Sequence, residues 1–282
     1  MLVAVSKGSN MGIDGTQHAI QDDLVYDVGA HLGEDSDFYL KLGYRVVAVE
    51  ANPALVEKLR HRFGREMAAG RYSLIPRAIG TADAEVTFYV NKTFSVWGTA
   101  NADWASHEHR GPSEQIKVRS TRFLDILNEH GCPKYLKIDI EGADMLCVYD
   151  LISFGTSPPF LSIESTKLSW ADLIAEFDAL ERLGYTAFQV VGQGKHDGGL
   201  FRTRTGEPLQ YTFEDGAAGR FGEYLGGQWL TREQALRRYE RIFFLYRTIG
   251  DNTPLRKLLR NIPVLRHVLG LVSWYDTHAM KN

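Results

Sequence analysis

The amino-acid sequence predicts an α/β fold built on a doubly wound, mostly parallel sheet of seven strands. Short apolar runs and helical patterns alternate from residue 23 to residue 191, which is typical of consecutive βαβ units. The first apolar run enters a glycine turn, and four of the predicted strands end in carboxylates. A β-hairpin added to the sheet and a C-terminal helical extension complete the predicted architecture.

The first strand–helix–strand unit gives the clearest signal. Leu24–Val28 is an apolar run that ends at Gly29, as a buried parallel strand does before a turn. Glu34–Leu42 has helical spacing, and Arg45–Val49 is a second apolar run that ends in Glu50. Such a unit is the nucleotide half of a Rossmann-like sheet, in which the terminal acid accepts hydrogen bonds from ribose hydroxyls.

The elements that follow keep the same alternation. Pro53 marks a helix start, and Thr121 is a candidate helix cap. Glu85–Val90 alternates in polarity and has a candidate partner strand in Gln115–Arg119, which gives the added hairpin. The other predicted strands are Tyr72–Ile75, the stretch Tyr135–Gly142 that runs into acids, Phe160–Glu164 and Tyr185–Val191, and the other predicted helices are Ala54–Phe63, Thr121–Asn128 and Leu168–Leu183.

The pattern divides the chain into four parts. Residues 1–22 form a polar lead-in, and residues 23–191 form the α/β core. Residues 192–230 are rich in glycine and predict a lid or substrate loop, with a hairpin around Leu209–Glu214. Residues 231–282 form the helical extension, with a helix from its cap Thr231 to Arg247 and a basic segment over Leu255–Leu271.

Composition excludes several classes of protein. The net charge of −3 gives no bulk attraction for nucleic acid. Two cysteines in 282 residues argue against a disulfide scaffold and fit a reducing, cytoplasmic location. No secretory signal is recognisable, and no run reaches the roughly 18 apolar residues that a transmembrane helix needs.

The glycine turn distinguishes between nucleotides. A dinucleotide fingerprint has the pattern G-x-G-x-x-G, because its second glycine lets the backbone approach the pyrophosphate. His31 stands where that glycine belongs, and its imidazole would crowd a diphosphate. S-adenosylmethionine (SAM) has ribose and adenine but no phosphate, so the turn favours SAM over NAD. Asp27 is a candidate for orienting the ammonium group of the methionine part of SAM. The alternative interpretation of this motif is a purely structural turn that binds no ligand.

Four motifs in order resemble the FkbM-type family of class I SAM-dependent methyltransferases. They are DVGAHLG (27–33), VVAVEANP (46–53), RAIG (77–80) and YLKIDIEGAD (135–144), and the resemblance covers about residues 23–165. It implies O-methylation of hydroxyls on sugars, glycolipids and natural products. It also implies a cofactor site in which Asp27, Gly29, His31 and Gly33 line the methionine end, Glu50 binds the ribose, Ala51 and Asn52 flank it, and Ala78 and Ile79 lie beside adenine.

The candidate catalytic residues are Asp139, Glu141 and His196. Transfer to a hydroxyl requires a general base or a metal. Asp139 is the first choice near the methyl group, Glu141 points to the same side of an extended strand, and His196 lies in the glycine-rich segment. Asp139, Glu141 and Glu164 together are also candidate oxygen ligands for Mg²⁺. Pairing of these acids with Lys137 is the alternative.

Several other residues allow two interpretations. Trp97, Trp104 and Trp229 are candidate platforms for a sugar ring, or they pin loops to the core. His107, His109 and His278 are expected to be solvated surface histidines. The basic segment Leu255–Leu271 is a candidate for peripheral membrane contact, or it docks on its own domain or on a second copy in a homo-oligomer.

Together these observations predict a SAM-dependent O-methyltransferase whose acceptor is a hydroxyl of a saccharide, a glycolipid or a glycosylated natural product. Its partner is then a small molecule or glycan and not a nucleic acid. The alternatives are methylation of a carboxylate or amine on a small molecule, a catalytically silent SAM-fold binding module, and a nicotinamide-dependent dehydrogenase, against which His31 argues.

Overall fold

The computed structural model describes residues 18–93, 95–106, 111–166, 168–194, 196–250, 253, 256 and 274–282. Most of the lead-in and of the basic segment, and also His107 and His109, lie outside the described residues. The strands are β1 (Ile20–Val28), β2 (Arg45–Val49), β3 (Tyr72–Ile75), β4 (Ala78–Ile79), β5 (Glu85–Asn91), β6 (Ser113–Thr121), β7 (Cys132–Ile138), β8 (Phe160–Ser165), β9 (Ala187–Gly192), β10 (Gly199–Arg202), β11 (Pro208–Tyr211) and β12 (Tyr275–Met280). The helices are α1 (Glu34–Lys41), α2 (Pro53–Arg62), α3 (Gly64–Ala68), α4 (Ala102–Ala105), α5 (Phe123–His130), α6 (Asp144–Phe154), α7 (Trp170–Arg182) and α8 (Arg232–Ile249).

The central sheet has seven strands in the order β3-β2-β1-β7-β8-β12-β9. The first five of these are parallel, and β12 is antiparallel to both of its neighbours. This confirms the predicted α/β, mostly parallel architecture. The strand order reverses between β1 and β7, and in doubly wound sheets the crevice at the carboxyl end of such a point is where ligands bind.

Alternation along β1 divides the core between the two faces of the sheet. Tyr26 packs on one face with the apolar sides of α5–α8, whereas Val25 packs on the other with α1 and α2. Both side chains are fully buried. This double burial explains why β1 is apolar in both alternating positions, as parallel strands between two helical layers are.

The glycine-rich segment 192–230 is anchored to α1 by aromatic side chains. The fully buried Phe38 ring lies 4.9 Å from the Phe201 ring, 4.7 Å from the Tyr211 ring and 4.8 Å from the Phe213 ring, measured between ring centroids. The Asp35 carboxylate also accepts a hydrogen bond of 2.9 Å from the Ala218 backbone N–H. The segment predicted as a lid or substrate loop therefore forms a packed wall beside the sheet.

The predicted strand pairing and the cap of α8 are confirmed, but the hairpin joins β4 in a separate three-stranded sheet and does not extend the central one. Strands β5 and β6 pair antiparallel from Glu85 to Asn91, and Thr231 forms a capping box with Gln234. Thr121 is wrong as a helix cap because it belongs to β6, and α5 begins after Arg122. The second hairpin pairs β10 with β11, so that it starts earlier than expected.

The largest difference concerns the helical extension. Helix α8 is present, but Tyr275–Met280, which was predicted to belong to the helical extension, is a strand of the central sheet, β12. There it pairs with β8 on one side and β9 on the other. Its four inner residues are all buried because a central strand is covered on both faces, so no alternation of polarity marks the strand in the sequence. Within the part of the chain that the structure describes, no helix is long and apolar enough to cross a membrane.

Candidate active site

A narrow cleft of about 60 Å³, called the cofactor cleft here, opens at the carboxyl ends of β1, β2 and β7. It lies at the point where the strand order reverses, as expected for a ligand site in this fold. The structure brings most of the predicted cofactor residues together here. Among its walls are Gly29, His31, Glu50, Ala51, Asn52, Ala78, Ile79 and Asp139.

The turn after β1 is fixed by its neighbours. The backbone N–H groups of Gly29 and Ala30 both donate to the carbonyl oxygen of Val49, at 3.0 Å. Gly29 has a φ of +92°, and a Cβ there would lie 1.8 Å from the carbonyl oxygen of Asp139. Only glycine fits this close approach of β1 to β7, which explains the first residue of the motif.

Two non-glycine residues at the cleft have a left-handed backbone. His31 has a φ of 49° and Glu141 a φ of 58°, and they are the non-glycine residues with positive φ in the described ranges. Such a conformation costs on the order of 1–3 kcal/mol and clusters at functional sites. Both residues line the cofactor cleft, so the strain lies where a ligand would be bound.

Glu50 is held in place by backbone donors. Its carboxylate accepts hydrogen bonds from the N–H of His31 at 3.0 Å and from the N–H of Asn52 at 2.7 Å, one on each oxygen. Burial raises the pKa of Glu50 to about 7, although these hydrogen bonds oppose the increase. The remaining lone pairs of such a fixed carboxylate can accept hydrogen bonds from a ribose.

Sequence reasoning missed the apolar walls of the cleft. Leu55, Phe88 and Ile140 line it together with the predicted residues. Phe88 comes from β5, so the added hairpin forms one side of the site. Its alternation in β5 predicted burial, but nothing local in the sequence linked that strand to the glycine turn.

Two predicted cofactor residues lie outside the cleft. Asp27 is fully buried and accepts a hydrogen bond of 2.6 Å from the Ser36 hydroxyl, because strand alternation turns its side chain towards α1. Gly33 has a φ of +82°, and a Cβ there would lie 2.3 Å from the Phe63 ring. Neither residue lines the cofactor cleft, and their position at the methionine end of the cofactor stays a prediction.

Lys137 connects three acids, of which Asp27 and Asp35 are buried and Asp139 is partly exposed. Its ammonium lies 3.6 Å from Asp27, 3.4 Å from Asp35 and 3.4 Å from Asp139. Burial alone would lower the pKa of Lys137, but attraction to the three carboxylates raises it well above its usual value. Burial raises the pKa of Asp27 to about 6, against the effect of Lys137. The expected pairing of Lys137 with the strand-end acids is observed.

A second space of about 280 Å³, called the central cavity, adjoins the cofactor cleft. Asp139 lines both spaces. Among the three carboxylates beside Lys137, it is the one whose side chain is partly exposed, at 30%. Gln193 and the stretch 216–218 close the central cavity from the side of the glycine-rich segment. Asp139 thus lies at the boundary between the two spaces.

The three predicted metal-ligating acids come together. Carboxylate oxygens of Asp139, Glu141 and Glu164 all lie within 4.8 Å of one another. Glu141 also accepts a hydrogen bond of 2.8 Å from the indole N–H of Trp104. Burial raises the pKa of Glu164 well above its usual range, and repulsion from Glu141 and Asp139 adds to the increase.

The predicted histidines are not placed for catalysis. His196 lies against Gly219 and Phe213 and lines neither the cofactor cleft nor the central cavity, so the structure does not bring it to Asp139, and its role as the base stays a prediction. His278 is buried inside β12 instead of being solvated, and burial lowers its pKa to about 3. Sequence position alone showed neither the packing of His196 against Phe213 nor the burial of His278 in β12.

A third space of about 280 Å³, called the side cavity, lies beyond the central cavity and shares Glu164 and Trp274 with it. Trp97 lines the central cavity and Trp104 the side cavity, whereas Trp229 packs near Phe160, with 6.4 Å between ring centroids. Two of the three predicted platforms therefore face open space.

β12 brings two further residues that the sequence did not predict. Trp274 precedes it and lies at the junction of the two larger cavities. Asp276 pairs in register with Glu164 and accepts a hydrogen bond of 2.7 Å from the Gln193 amide. Burial and the nearby Asp139 raise the pKa of Asp276 to about 8.

The chain is similar to known proteins both in its sequence pattern and in its fold. A family model described as "Methyltransferase FkbM domain" matches residues 27–186. A search of curated proteins found no match. Among solved structures, the chain is similar to precorrin-6Y C5,15-methyltransferase from Geobacter metallireducens, with 12% identity, 94% of this chain and 82% of that chain covered, and a TM-score of 0.38.

Two other similar structures were solved with S-adenosylhomocysteine bound. A SAM-dependent methyltransferase from Thiobacillus denitrificans has 12% identity, with 93% of this chain and 86% of that chain covered and a TM-score of 0.32. The 1,6-didemethyltoxoflavin-N1-methyltransferase from Burkholderia thailandensis has 11% identity, with 93% and 72% covered and a TM-score of 0.30. These likenesses are too distant to transfer the role of any residue.

Proposed function

The chain belongs to the FkbM family of SAM-dependent methyltransferases, and we propose that its acceptor is a hydroxyl of a saccharide, a glycolipid or a glycosylated natural product. The observation that supports this most directly is the position of Asp139. It lines both the cofactor cleft and the central cavity, so that a carboxylate stands where the two reactants meet. A hydroxyl acceptor needs such a base, because it must lose a proton on methylation.

SAM, when bound, supplies a methyl group on a positively charged sulfur. During transfer the carbon–sulfur bond breaks, a carbon–oxygen bond forms to the acceptor, and the hydroxyl proton moves to the Asp139 carboxylate. Lys137, 3.4 Å from Asp139, holds that carboxylate in position. Glu50 binds the ribose hydroxyls and fixes the nucleoside, and orientation of this kind contributes up to about 7–11 kcal/mol in model reactions.

In our proposal, different segments of the chain bind the cofactor and the acceptor. Residues 23–191 bind the cofactor, and residues 192–230 wall the acceptor side through Gln193 and the stretch 216–218. Helix α8 supports β9 and β12 from the opposite face.

A metal-assisted version of the same transfer is the second candidate. Asp139, Glu141 and Glu164 offer the oxygen ligands that Mg²⁺ prefers, within 4.8 Å of one another. Held there, Mg²⁺ would act as a Lewis acid on the acceptor oxygen. However, Lys137 and the Trp104 indole already engage two of these carboxylates. We therefore expect activity to persist in EDTA, and activity restored only by added Mg²⁺ would favour the metal.

The experiment compares cofactor binding with turnover. Calorimetry with S-adenosylhomocysteine and with NAD tests the cofactor, and formation of S-adenosylhomocysteine from SAM on a panel of saccharides tests the reaction. Asp139→Asn should lower kcat by roughly 10²–10⁴-fold, the usual contribution of a general base, while changing the affinity for S-adenosylhomocysteine little. The matched control is Asp178→Asn, at an exposed acid on α7, which should leave both unchanged. Binding of NAD alone, or no turnover of any acceptor despite tight product binding, would contradict the proposal.

A further inference from the structure

One loop covers the cofactor cleft and also borders the two larger cavities. Residues 96–104, called the covering loop here, contribute Val96, Gly98 and Ala100 to the lining of the cofactor cleft. Val96 lines the central cavity as well, and Asn101 lines the side cavity. The position of this loop therefore affects every space of the candidate active site.

The covering loop is attached to the hairpin strand β5 through its backbone. The N–H of Tyr89 donates to the carbonyl oxygen of Thr99 at 2.8 Å, and the N–H of Thr99 donates back to the carbonyl oxygen of Tyr89 at 3.1 Å. The next residue before Tyr89 on this strand, Phe88, lines the cofactor cleft. The loop and the three-stranded sheet β4-β6-β5 thus form one side of the cleft, and the central sheet forms the other.

Two side chains of the covering loop fasten it to the turn after β7. Thr99 is fully buried, and its hydroxyl donates to the carbonyl oxygen of Glu141 at 2.7 Å. The side-chain amide of Asn101 donates to the carbonyl oxygen of Gly142 at 3.1 Å. These two hydrogen bonds, called the latch here, join the two sides of the cleft at the turn where Glu141 has a left-handed backbone.

The latch holds the cofactor cleft narrower than a nucleoside requires. The cleft has a volume of about 60 Å³, whereas small-molecule sites usually provide about 300–1,000 Å³. The central-sheet side is fixed by strand pairing and by the backbone hydrogen bonds of Gly29 and Ala30 to Val49. The side that carries the covering loop is held across the cleft by side-chain hydrogen bonds. Entry of the cofactor therefore requires the latch to open.

The latch connects protein atoms to protein atoms. It therefore stabilises the closed cleft by the same amount with and without a bound cofactor. A contact of this kind does not change affinity, because a ligand and a conformational equilibrium influence each other only through a difference in binding between the two states. It does slow both the entry and the exit of the ligand, since both need the open form.

From these contacts we infer that Thr99 and Asn101 are positioning residues of the cofactor site. They hold the turn Glu141–Gly142 against the covering loop, and the opening of this contact sets the rates at which SAM enters and S-adenosylhomocysteine leaves. Loop opening limits product release in many enzymes. The inference rests on the proposed function in one respect, because it places SAM in the cofactor cleft, and it does not depend on the identity of the acceptor.

The test uses variants that remove one hydrogen bond each. Thr99→Val keeps the shape of the side chain without its hydroxyl, whereas Thr99→Ser keeps the hydroxyl. Asn101→Asp retains an oxygen that caps α4 but has no N–H to donate to Gly142. Thr87→Val, on β5 and outside the lining of the cleft, is the matched control.

The rate constants for S-adenosylhomocysteine are measured by surface plasmon resonance on the immobilised full chain, and calorimetry gives Kd independently. We expect Thr99→Val and Asn101→Asp each to raise both the association and the dissociation rate constant roughly fivefold, the effect of losing one net hydrogen bond. The value of Kd should change less than about twofold, since both rate constants rise together. Thr99→Ser and Thr87→Val should behave like the wild type.

Unchanged rate constants in both Thr99→Val and Asn101→Asp would overturn the inference and leave the proposed function standing. A rise confined to the dissociation rate constant would overturn it as well, because a general loosening of the site weakens affinity without speeding entry. If Thr99→Val does not fold, as judged from its Tm, the result for Asn101→Asp decides alone. Failure of S-adenosylhomocysteine to bind to the wild type would overturn the proposed function and this inference with it.

Discussion

Because Glu50 is protonated as the pH falls, the affinity for the cofactor product S-adenosylhomocysteine should decrease from pH 8 to pH 6. Burial raises the pKa of Glu50 to about 7, whereas a free glutamate titrates near 4.3. Only the ionised carboxylate is a pure acceptor for both ribose hydroxyls. Its ionised fraction falls from about nine-tenths at pH 8 to about one-tenth at pH 6. Affinity for S-adenosylhomocysteine should therefore fall roughly tenfold over this range, or about 1.4 kcal/mol.

The assay is calorimetry at half-unit steps between pH 8 and pH 6, at constant ionic strength. Glu50→Gln should bind more weakly at pH 8 and lose the pH dependence. The nearby imidazole is tested with His31→Asn, because asparagine tolerates the left-handed backbone at that position and keeps the N–H that Glu50 accepts. That variant should retain the dependence. A flat profile in the wild type, or an unchanged slope in Glu50→Gln, would refute the reasoning.

Three further predictions concern stability. Lys137→Met removes the cation that Asp27, Asp35 and Asp139 share and should lower the free energy of unfolding in urea by about 3–5 kcal/mol. The control Lys134→Met, at the other end of β7, should change this free energy by under about 0.5 kcal/mol. A loss below about 1 kcal/mol in Lys137→Met would argue against the network. Phe38→Ala removes the ring at the centre of the aromatic cluster and should lower the free energy of unfolding by about 3–5 kcal/mol, which is measured as a lower Tm. The control is Phe244→Ala, at a side chain that is 68% exposed. Equal Tm values for the two variants would contradict the prediction. Thr231→Ala should cost about 1 kcal/mol through the lost cap of α8, and Thr231→Ser should restore most of it unless the cap is unimportant.

The sequence predicted the nucleotide half of the site because its signals are local. Gly29, His31 and Glu50 follow one another through a single strand–turn–helix–strand unit, and strand ends in such a unit meet at one edge. Asp27 belongs to the same motif, but alternation along β1 turns it into the core, which a search for strand-end acids overlooks.

The part of the site that we propose for the acceptor depends on contacts between distant segments. Asp276 and Trp274 reach the site only because β12 pairs with β8, about 110 residues earlier in the chain. On the cofactor side, Phe88 likewise reaches the cofactor cleft through a hairpin whose docking position has no local signature. Residues so far apart in the sequence have no fixed spacing. Hydrophobic periodicity therefore predicts the strands themselves but does not predict which of their side chains reach the site.

The insertion of β12 also has a consequence for synthesis. Because Tyr275–Met280 lies between β8 and β9, a nascent chain that has emerged only as far as residue 250 exposes two unpaired strand edges. Unpaired edges promote aggregation, and pairing over so many residues is slow. We therefore expect the central cavity, which Trp274 lines, to be complete only after residues 275–280 have paired with β8 and β9.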